Sequence, residues 1–216
     1  MTFKALILDC DGVIVDSEKY SCGAWNVVFE KYYNIDIGTN YDNIIGFNTR
    51  DAVHYYGKKY NLTFSEETIL ELGTFKAQTY FDLAGGKLEI IPGIEEIIKQ
   101  ANDLEWPIIV ASSGTIEKIT FNLEQVNLSD HFVGMVSSQE VKRGKPFPDL
   151  FLEAAKRISH LPSECIVIED SIPGIEGAMK SGAFTVAITT SFPRHELLMA
   201  DKVIDDYSEL KLASFN

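Results

Sequence analysis

Two carboxylates, Asp9 and Asp11, close a short apolar run, Ala5-Leu6-Ile7-Leu8, and Gly12 follows them. Residues i and i+2 of an extended chain point to one side, so the pair is placed to converge on a single site. Three further polar clusters adjoin apolar runs. Ser112, Ser113 and Gly114 follow Ile108-Ile109-Val110-Ala111. Lys145 sits in a stiff loop between Gly144 and Pro146, and Glu169-Asp170 ends Cys165-Ile166-Val167-Ile168. Taken singly, each has a plain reading: an Asp-Gly turn, a capping turn, a surface lysine, a helix cap. Taken together they suit phosphoryl chemistry. Asp9, Asp11 and Asp170 offer hard oxygen ligands for Mg²⁺, which takes few carboxylates and keeps several waters. Ser112, Lys145 and the turn amides offer donors for the remaining phosphoryl oxygens. One carboxylate can attack phosphorus, and the other can move protons.

The elements that must position these groups alternate between strand and helix over most of the chain. Apolar runs at 5–8, 107–111, 132–136, 165–168, 184–188 and 203–204 read as strands, and the periodic stretches between them as helices. That grammar implies a parallel sheet flanked by helices, with ligands at the carboxyl ends of its strands. One stretch breaks the alternation. Between 17 and 83 no strand pattern occurs. Tyr20, Ala24, Trp25, Val28, Phe29 and Tyr32 share one helical face, the 34–43 stretch is loop-like, and helices follow after Thr49 and Ser65. The reading is an α/β core, residues 1–15 and 88–216, with a helical insertion, residues 16–87, that leaves right after the carboxylate pair as a lid.

Composition bounds the partners. The 216 residues are 45% hydrophobic and 24% charged, with a net charge of −13. Nucleic acid is excluded as a partner, because its binding rests on basic phosphate contacts. An anionic substrate in so acidic a protein needs a metal ion or local cations. No apolar run is long enough to span a bilayer, and no signal-peptide pattern opens the sequence, so a cytoplasmic protein is expected. Three scattered cysteines, Cys10, Cys22 and Cys165, show no ligand spacing and suit a reducing compartment.

In this order, Asp9-Cys10-Asp11-Gly12, Ser112, Lys145-Pro146 and Glu169-Asp170 resemble the four motifs of the haloacid dehalogenase (HAD) superfamily. Lys145-Pro146-Phe147-Pro148-Asp149, Glu169-Asp170-Ser171 with Gly174, and the helical cap after the first motif are similar to its β-phosphoglucomutase-like subgroup. The resemblance implies a Rossmann-like core and an aspartyl-phosphate mechanism. Asp9 would be nucleophile and Mg²⁺ ligand, and Asp11 general acid/base, meeting the metal through its backbone carbonyl. Ser112, Ser113 and Lys145 would hold the phosphoryl group. Asp170 would bind Mg²⁺, with Glu169 a second or water-mediated ligand. In the cap, Gly46-Phe47-Asn48-Thr49-Arg50 resembles the substrate loop, making Arg50 a bidentate clamp for a distal phosphate or carboxylate, and Lys76 resembles a second cap cation. The chain departs from the sugar phosphomutases at Ser21, where they carry His, and at Gly114, where they tend to carry Ser. The first expectation is therefore a Mg²⁺-dependent phosphatase of a small phosphorylated metabolite such as a sugar phosphate, and a monomer, which suits a swinging cap. The alternatives are a sugar phosphomutase and, more remotely, a phospho-acceptor signalling domain. The sequence contains neither G-x-x-x-x-G-K-[ST] nor G-x-G-x-x-G.

Overall fold

A computed structural model describes residues 2–38 and 44–215. Six strands form one parallel sheet: β1 (Ala5–Leu8), β2 (Ile108–Ser112), β3 (Gly134–Ser137), β4 (Cys165–Glu169), β5 (Phe184–Ile188) and β6 (Lys202–Ile204). Their order is β3-β2-β1-β4-β5-β6. The all-apolar run of β1 follows from its place, because a central strand covered on both faces has no solvent side. Its residues alternate between two cores. Leu6 and Leu8 pack with Ile94, Ile97, Ile119 and Leu123, while Ala5 and Ile7 pack with Leu150, Phe151, Ala154 and Ala178. The first group lies on α4 (Ile94–Asp103) and α5 (Ile116–Gln125), and the second on α6 (Asp149–Arg157) and α7 (Ile172–Ser181). The fold is thus a three-layer Rossmann-like α/β arrangement. The sequence placed β3 two residues early, since Phe132 closes a 3₁₀ turn, Ser129–His131, before the strand begins.

Register brings the polar clusters together. Leu8 pairs with Val110 on one side and Ile168 on the other. The chain therefore leaves β1 at Asp9 beside the ends of β2 and β4, where Ser112 and Glu169-Asp170 lie.

Between β1 and α4 the described residues form three helices, α1 (Glu18–Tyr33), α2 (Thr49–Tyr60) and α3 (Glu66–Ala84). The described part of the expected 34–43 loop, residues 34–38, is non-helical, and residues 39–43 lie outside the described residues. Asn34 and Asn61 end α1 and α2 in the left-handed conformation, which asparagine tolerates better than most residues. Asn48 and Ser65 cap the starts of α2 and α3 through side-chain oxygens. The helices bury their own core of Trp25, Val28, Phe29, Val53, Tyr56, Ile69 and Leu72. They join the sheet through two neighbouring linkers: Asp16 N–H donates to the Glu89 carbonyl and Ile91 N–H to the Ile14 carbonyl, each at 2.9 Å. No helix of the described residues is long and apolar enough to cross a membrane.

Phe29 is fully buried, and its ring lies 4.8 Å from that of Tyr56 and 5.8 Å from that of Tyr33. Phe29→Ala is expected to cost about 3–5 kcal/mol of stability, as large-to-small core changes do. Denaturant titration reads this, and a wild-type midpoint would show that the helical layer does not rely on this aromatic cluster.

Candidate functional site

The ends of β1, β2 and β4 open into a cleft that encloses about 870 Å³, its mouth included, beneath α1 and α3. Asp9, Asp11, Gly46, Lys76, Ser112, Ser113, Lys145 and Asp170 line it. At its floor Lys145 Nζ lies 2.8 Å from Asp9 Oδ1 and also pairs with Glu169 Oε1. The other Glu169 oxygen is fixed at the start of α7. It accepts the N–H groups of Asp170 and Ser171 at 3.0 Å and the Ser171 hydroxyl at 2.9 Å. Asp170 accepts the Ser191 hydroxyl, from the loop after β5. All of these acids are almost wholly buried.

Burying ionised carboxylates is costly unless they are paired. Here carboxylate oxygens of Asp9, Glu169 and Asp170 lie within 4.8 Å of one another, and among the described residues Lys145 is the one ammonium paired with any of them. Burial, then the Glu169 and Asp9 charges, push the Asp170 carboxyl well above the usual range. Burial also raises Asp9, against the pull of Lys145. For Lys145 burial works downward, yet Asp9 and Glu169 outweigh it and keep the ammonium charged. One cation for three acids leaves a negative excess in a dry place, the condition a divalent metal ion relieves. Oxygen-only donors at this spacing suit a hard cation. The residues fit such an ion.

Asp11 departs from the extended-chain expectation. Gly12 has φ of 73°, and the N–H groups of Ile14 and Val15 both donate to the Cys10 carbonyl, so the chain turns tightly here. The Asp11 carboxylate joins a second set of partners instead of the three-acid cluster. It accepts from the Ser17 hydroxyl, from Lys118 Nζ at 2.8 Å and from Asn122 Nδ2 at 3.1 Å. Burial would raise its carboxyl, but Lys118 and Ser17 hold it below its ordinary value. Ser17 therefore stands at the α1 N-cap without making a side-chain capping bond. Gly12 is required by space as well as by φ, because a Cβ there would overlap the Asp170 carboxylate.

The turn after β2 is capped as expected, Thr115 accepting the Lys118 N–H at 3.2 Å. Ser112 Oγ accepts the Gly114 N–H at 3.1 Å. Ser113 serves differently from the expectation for its hydroxyl, which donates to the Gly46 carbonyl at 2.9 Å and joins the helical layer to the sheet. Gly46 has φ of 81°, and a Cβ there would approach Ser171 Oγ at 2.6 Å.

Arg50 is not brought to the cleft. Its guanidinium is more than half exposed and pairs with Glu66 at 2.5 Å, because the first turn of α2 faces the start of α3. Lys76 does reach the cleft and donates to Ser21 Oγ at 2.8 Å. Burial, and next the Lys118 charge, pull its ammonium down to about 7.

Sequence reasoning passed over Lys118, Asn122, Tyr80, Glu18 and Ser191. Lys118 carried a usable signal, since the Thr115 cap places it in the first turn of a helix that starts at the cleft. Asn122 follows one turn later, oriented by the Tyr80 hydroxyl of α3 at 2.5 Å. Ser191 lies in a loop with no local pattern.

Comparison with known proteins places the chain in a family. The chain is 31% identical over 220 residues to a β-phosphoglucomutase of Bacillus subtilis, covering 97% of this chain and 92% of that protein. It is 28% identical over 219 residues to a bifunctional riboflavin kinase/FMN phosphatase of Arabidopsis thaliana, covering 97% of this chain but only 55% of that longer protein. The crystal structure of a β-phosphoglucomutase from Clostridium difficile superposes with a TM-score of 0.86 at 28% identity, covering 99% of this chain and 95% of that one. Residues 6–188 match the model of the haloacid dehalogenase-like hydrolases, so the chain belongs to that family, within its β-phosphoglucomutase-like subgroup.

Proposed function

We propose that this chain is a Mg²⁺-dependent phosphatase of a small phosphorylated metabolite, working through an aspartyl-phosphate on Asp9. The observation that carries the reading is the Asp9 carboxylate itself, held on the cleft floor between Lys145 and two further buried acids. Asp9, Asp170 and Glu169, with the Asp11 backbone carbonyl, are the groups that would hold the ion. When bound, Mg²⁺ supplies positive charge to the phosphoryl oxygens. Lys145 and the Ser112–Gly114 turn supply donors around them, and positioning with charge neutralisation is most of phosphoryl-transfer catalysis.

In the first step an Asp9 oxygen attacks phosphorus, the ester P–O bond breaks, and the leaving oxygen takes a proton from Asp11. In the second, water attacks the phosphorus of the aspartyl-phosphate and passes its proton to Asp11. The P–O bond to Asp9 then breaks, and the Asp9 carboxylate returns. Asp11 ends the first step as a carboxylate, the form that Lys118, Asn122 and Ser17 favour and the one that takes a proton from water. The helical layer acts as a cap, with Ser113 to Gly46 and Tyr80 to Asn122 among its contacts with the sheet layer.

A phosphomutase is the second reading, favoured by the similarity to two β-phosphoglucomutases. Against it, Ser21 and Gly114 replace groups typical of sugar phosphomutases, which must keep water from the phospho-enzyme. The product decides. With β-glucose 1-phosphate and a catalytic bisphosphate, the phosphatase releases inorganic phosphate, whereas a mutase gives glucose 6-phosphate.

Asp9→Asn is expected to lower phosphate release by about a thousandfold or more while leaving the circular dichroism spectrum unchanged, as loss of a covalent nucleophile does. Retained turnover in this variant would remove the nucleophile assignment. EDTA should stop phosphate release, and excess Mg²⁺ should restore it; activity that persists in EDTA would count against the metal. Asn122→Leu is expected to lower kcat about tenfold with little change in KM, since it disturbs proton transfer and not binding. A rise in KM alone would instead place Asn122 in substrate binding.

A further inference from the structure

Above the phosphoryl end, two lysines of the cleft share one aromatic ring. Lys118 Nζ lies 4.8 Å from the Tyr80 ring centre, and Lys76 Nζ lies 5.3 Å from it. Their partners differ. Lys118 is paired with the Asp11 carboxylate at 2.8 Å. Among the described residues Lys76 is paired with no carboxylate. Its Nζ donates to the Ser21 hydroxyl of α1 at 2.8 Å and lies 5.7 Å from the Trp25 ring centre. The Lys76 amine thus opens on the cleft with a hydroxyl beside it, two ring faces around it and a second ammonium nearby. The phosphatase steps give it no task.

A lysine in this setting gives up its proton easily. Removing an ammonium from water is costly, and a like charge close by adds to the cost. The titratable groups around it are Glu18 and Cys22 of α1, Asp11 of the turn after β1, Lys118 of α5 and Tyr80 of α3. Burial first and Lys118 next bring Lys76 down to about 7, against the pull of Asp11, Glu18 and Cys22. Burial, then the Asp11 charge, raise the Glu18 carboxyl, which disposes it to hold a proton. Burial, then Glu18, push the Cys22 thiol up. A desolvated lysine next to a second cation is a standard way to make a nucleophilic amine at neutral pH.

We propose that Lys76 is a covalent carbonyl site, its amine forming a reversible imine with a small hydroxyaldehyde admitted to the cleft. This goes beyond phosphoryl transfer at Asp9 and does not depend on it. The nitrogen lone pair attacks the aldehyde carbon, the C–N bond forms, and a nitrogen proton passes to the carbonyl oxygen. Glu18 then protonates the hydroxyl of this carbinolamine, the C–O bond breaks, and water leaves. The product is a protonated imine near a Glu18 carboxylate, and hydrolysis runs the same steps backward. Ser21 accepts one N–H of the amine and leaves its lone pair for the carbonyl. Glu18 and Ser21 stand three residues apart on α1, so they turn one side of that helix to the cleft that Lys76 lines. The Trp25 and Tyr80 rings shield the C=N bond from bulk water.

Reductive trapping tests this. The full-length protein is treated near neutral pH with limiting glycolaldehyde and cyanoborohydride, which reduces an imine to a stable secondary amine. Peptide mass spectrometry then reads which lysines are modified. Lys76 is expected to carry at least about tenfold more label than exposed lysines such as Lys99 and Lys156, because an ordinary lysine is almost wholly protonated near neutrality. The excess should shrink as the pH rises to about 10, where the exposed amines lose their protons in turn. Lys118→Met is expected to lower Lys76 labelling about fivefold, since it removes the neighbouring positive charge and frees Asp11 to favour the Lys76 ammonium. A lysine that is merely accessible would not respond to that change. Labelling of Lys76 no greater than that of the exposed lysines near neutrality overturns the proposal. So does labelling unchanged by Lys118→Met in a variant with the wild-type circular dichroism spectrum. The comparison among lysines of the unmodified protein stands even where the variant fails to fold.

Discussion

A buried ammonium, Lys145, holds the site together. It bridges Asp9 at the end of β1 and Glu169 at the end of β4, two acids that the sheet register brings side by side. Without a cation, two ionised carboxylates at this depth would repel each other in a medium that screens poorly. The lysine comes from a loop far along the chain, so the site is complete only when the sheet, that loop and α7 have all assembled. The backbone N–H groups at the start of α7 fix the far side of Glu169, and a Cβ at Gly174 would overlap its carboxylate. The floor is therefore rigid, and its excess negative charge is built in.

The second acid follows a different logic. Asp11 sits where the chain turns toward α1, and its partners come from α5 and from the linker. The Tyr80 hydroxyl reaches it through Asn122, so a residue of the helical layer orients a group of the sheet layer. The position of the layer and the setting of the Asp11 carboxylate are thereby coupled through two hydrogen bonds. Two carboxylates two residues apart come to hold distinct environments, one raised by burial among acids and one lowered by a neighbouring ammonium.

Much of the core could be read from the sequence because its signals are local. Runs such as Ile108–Ser112 and Cys165–Glu169 are apolar since both faces are covered, and polar residues appear where the strand ends. Asp9, Ser112 and Asp170 stand at those ends and Lys145 in the loop before α6, and the structure brings all four into one cleft. What could not be read depends on side-chain direction. Arg50 lies in the right stretch, but one turn of α2 decides that it meets Glu66. Asp11 follows Asp9 at strand spacing, yet the strand stops at Leu8 and the turn redirects it. Lys118 and Asn122 are helix residues whose role exists only because α5 points its first turns at Asp11.

The paired linkers at residues 14–16 and 89–91 carry a broader consequence. The helical layer departs and returns through adjacent hydrogen-bonded segments, so it interrupts the sheet topology nowhere else. Nearly all of the wall that meets the non-reacting part of a ligand is encoded by one continuous stretch of chain. The groups assigned to phosphorus under the proposed function lie outside that stretch. Under that reading, selection can rewrite which molecule is accepted while leaving the proposed bond-breaking groups untouched, in the manner of an interchangeable tool head on a fixed handle.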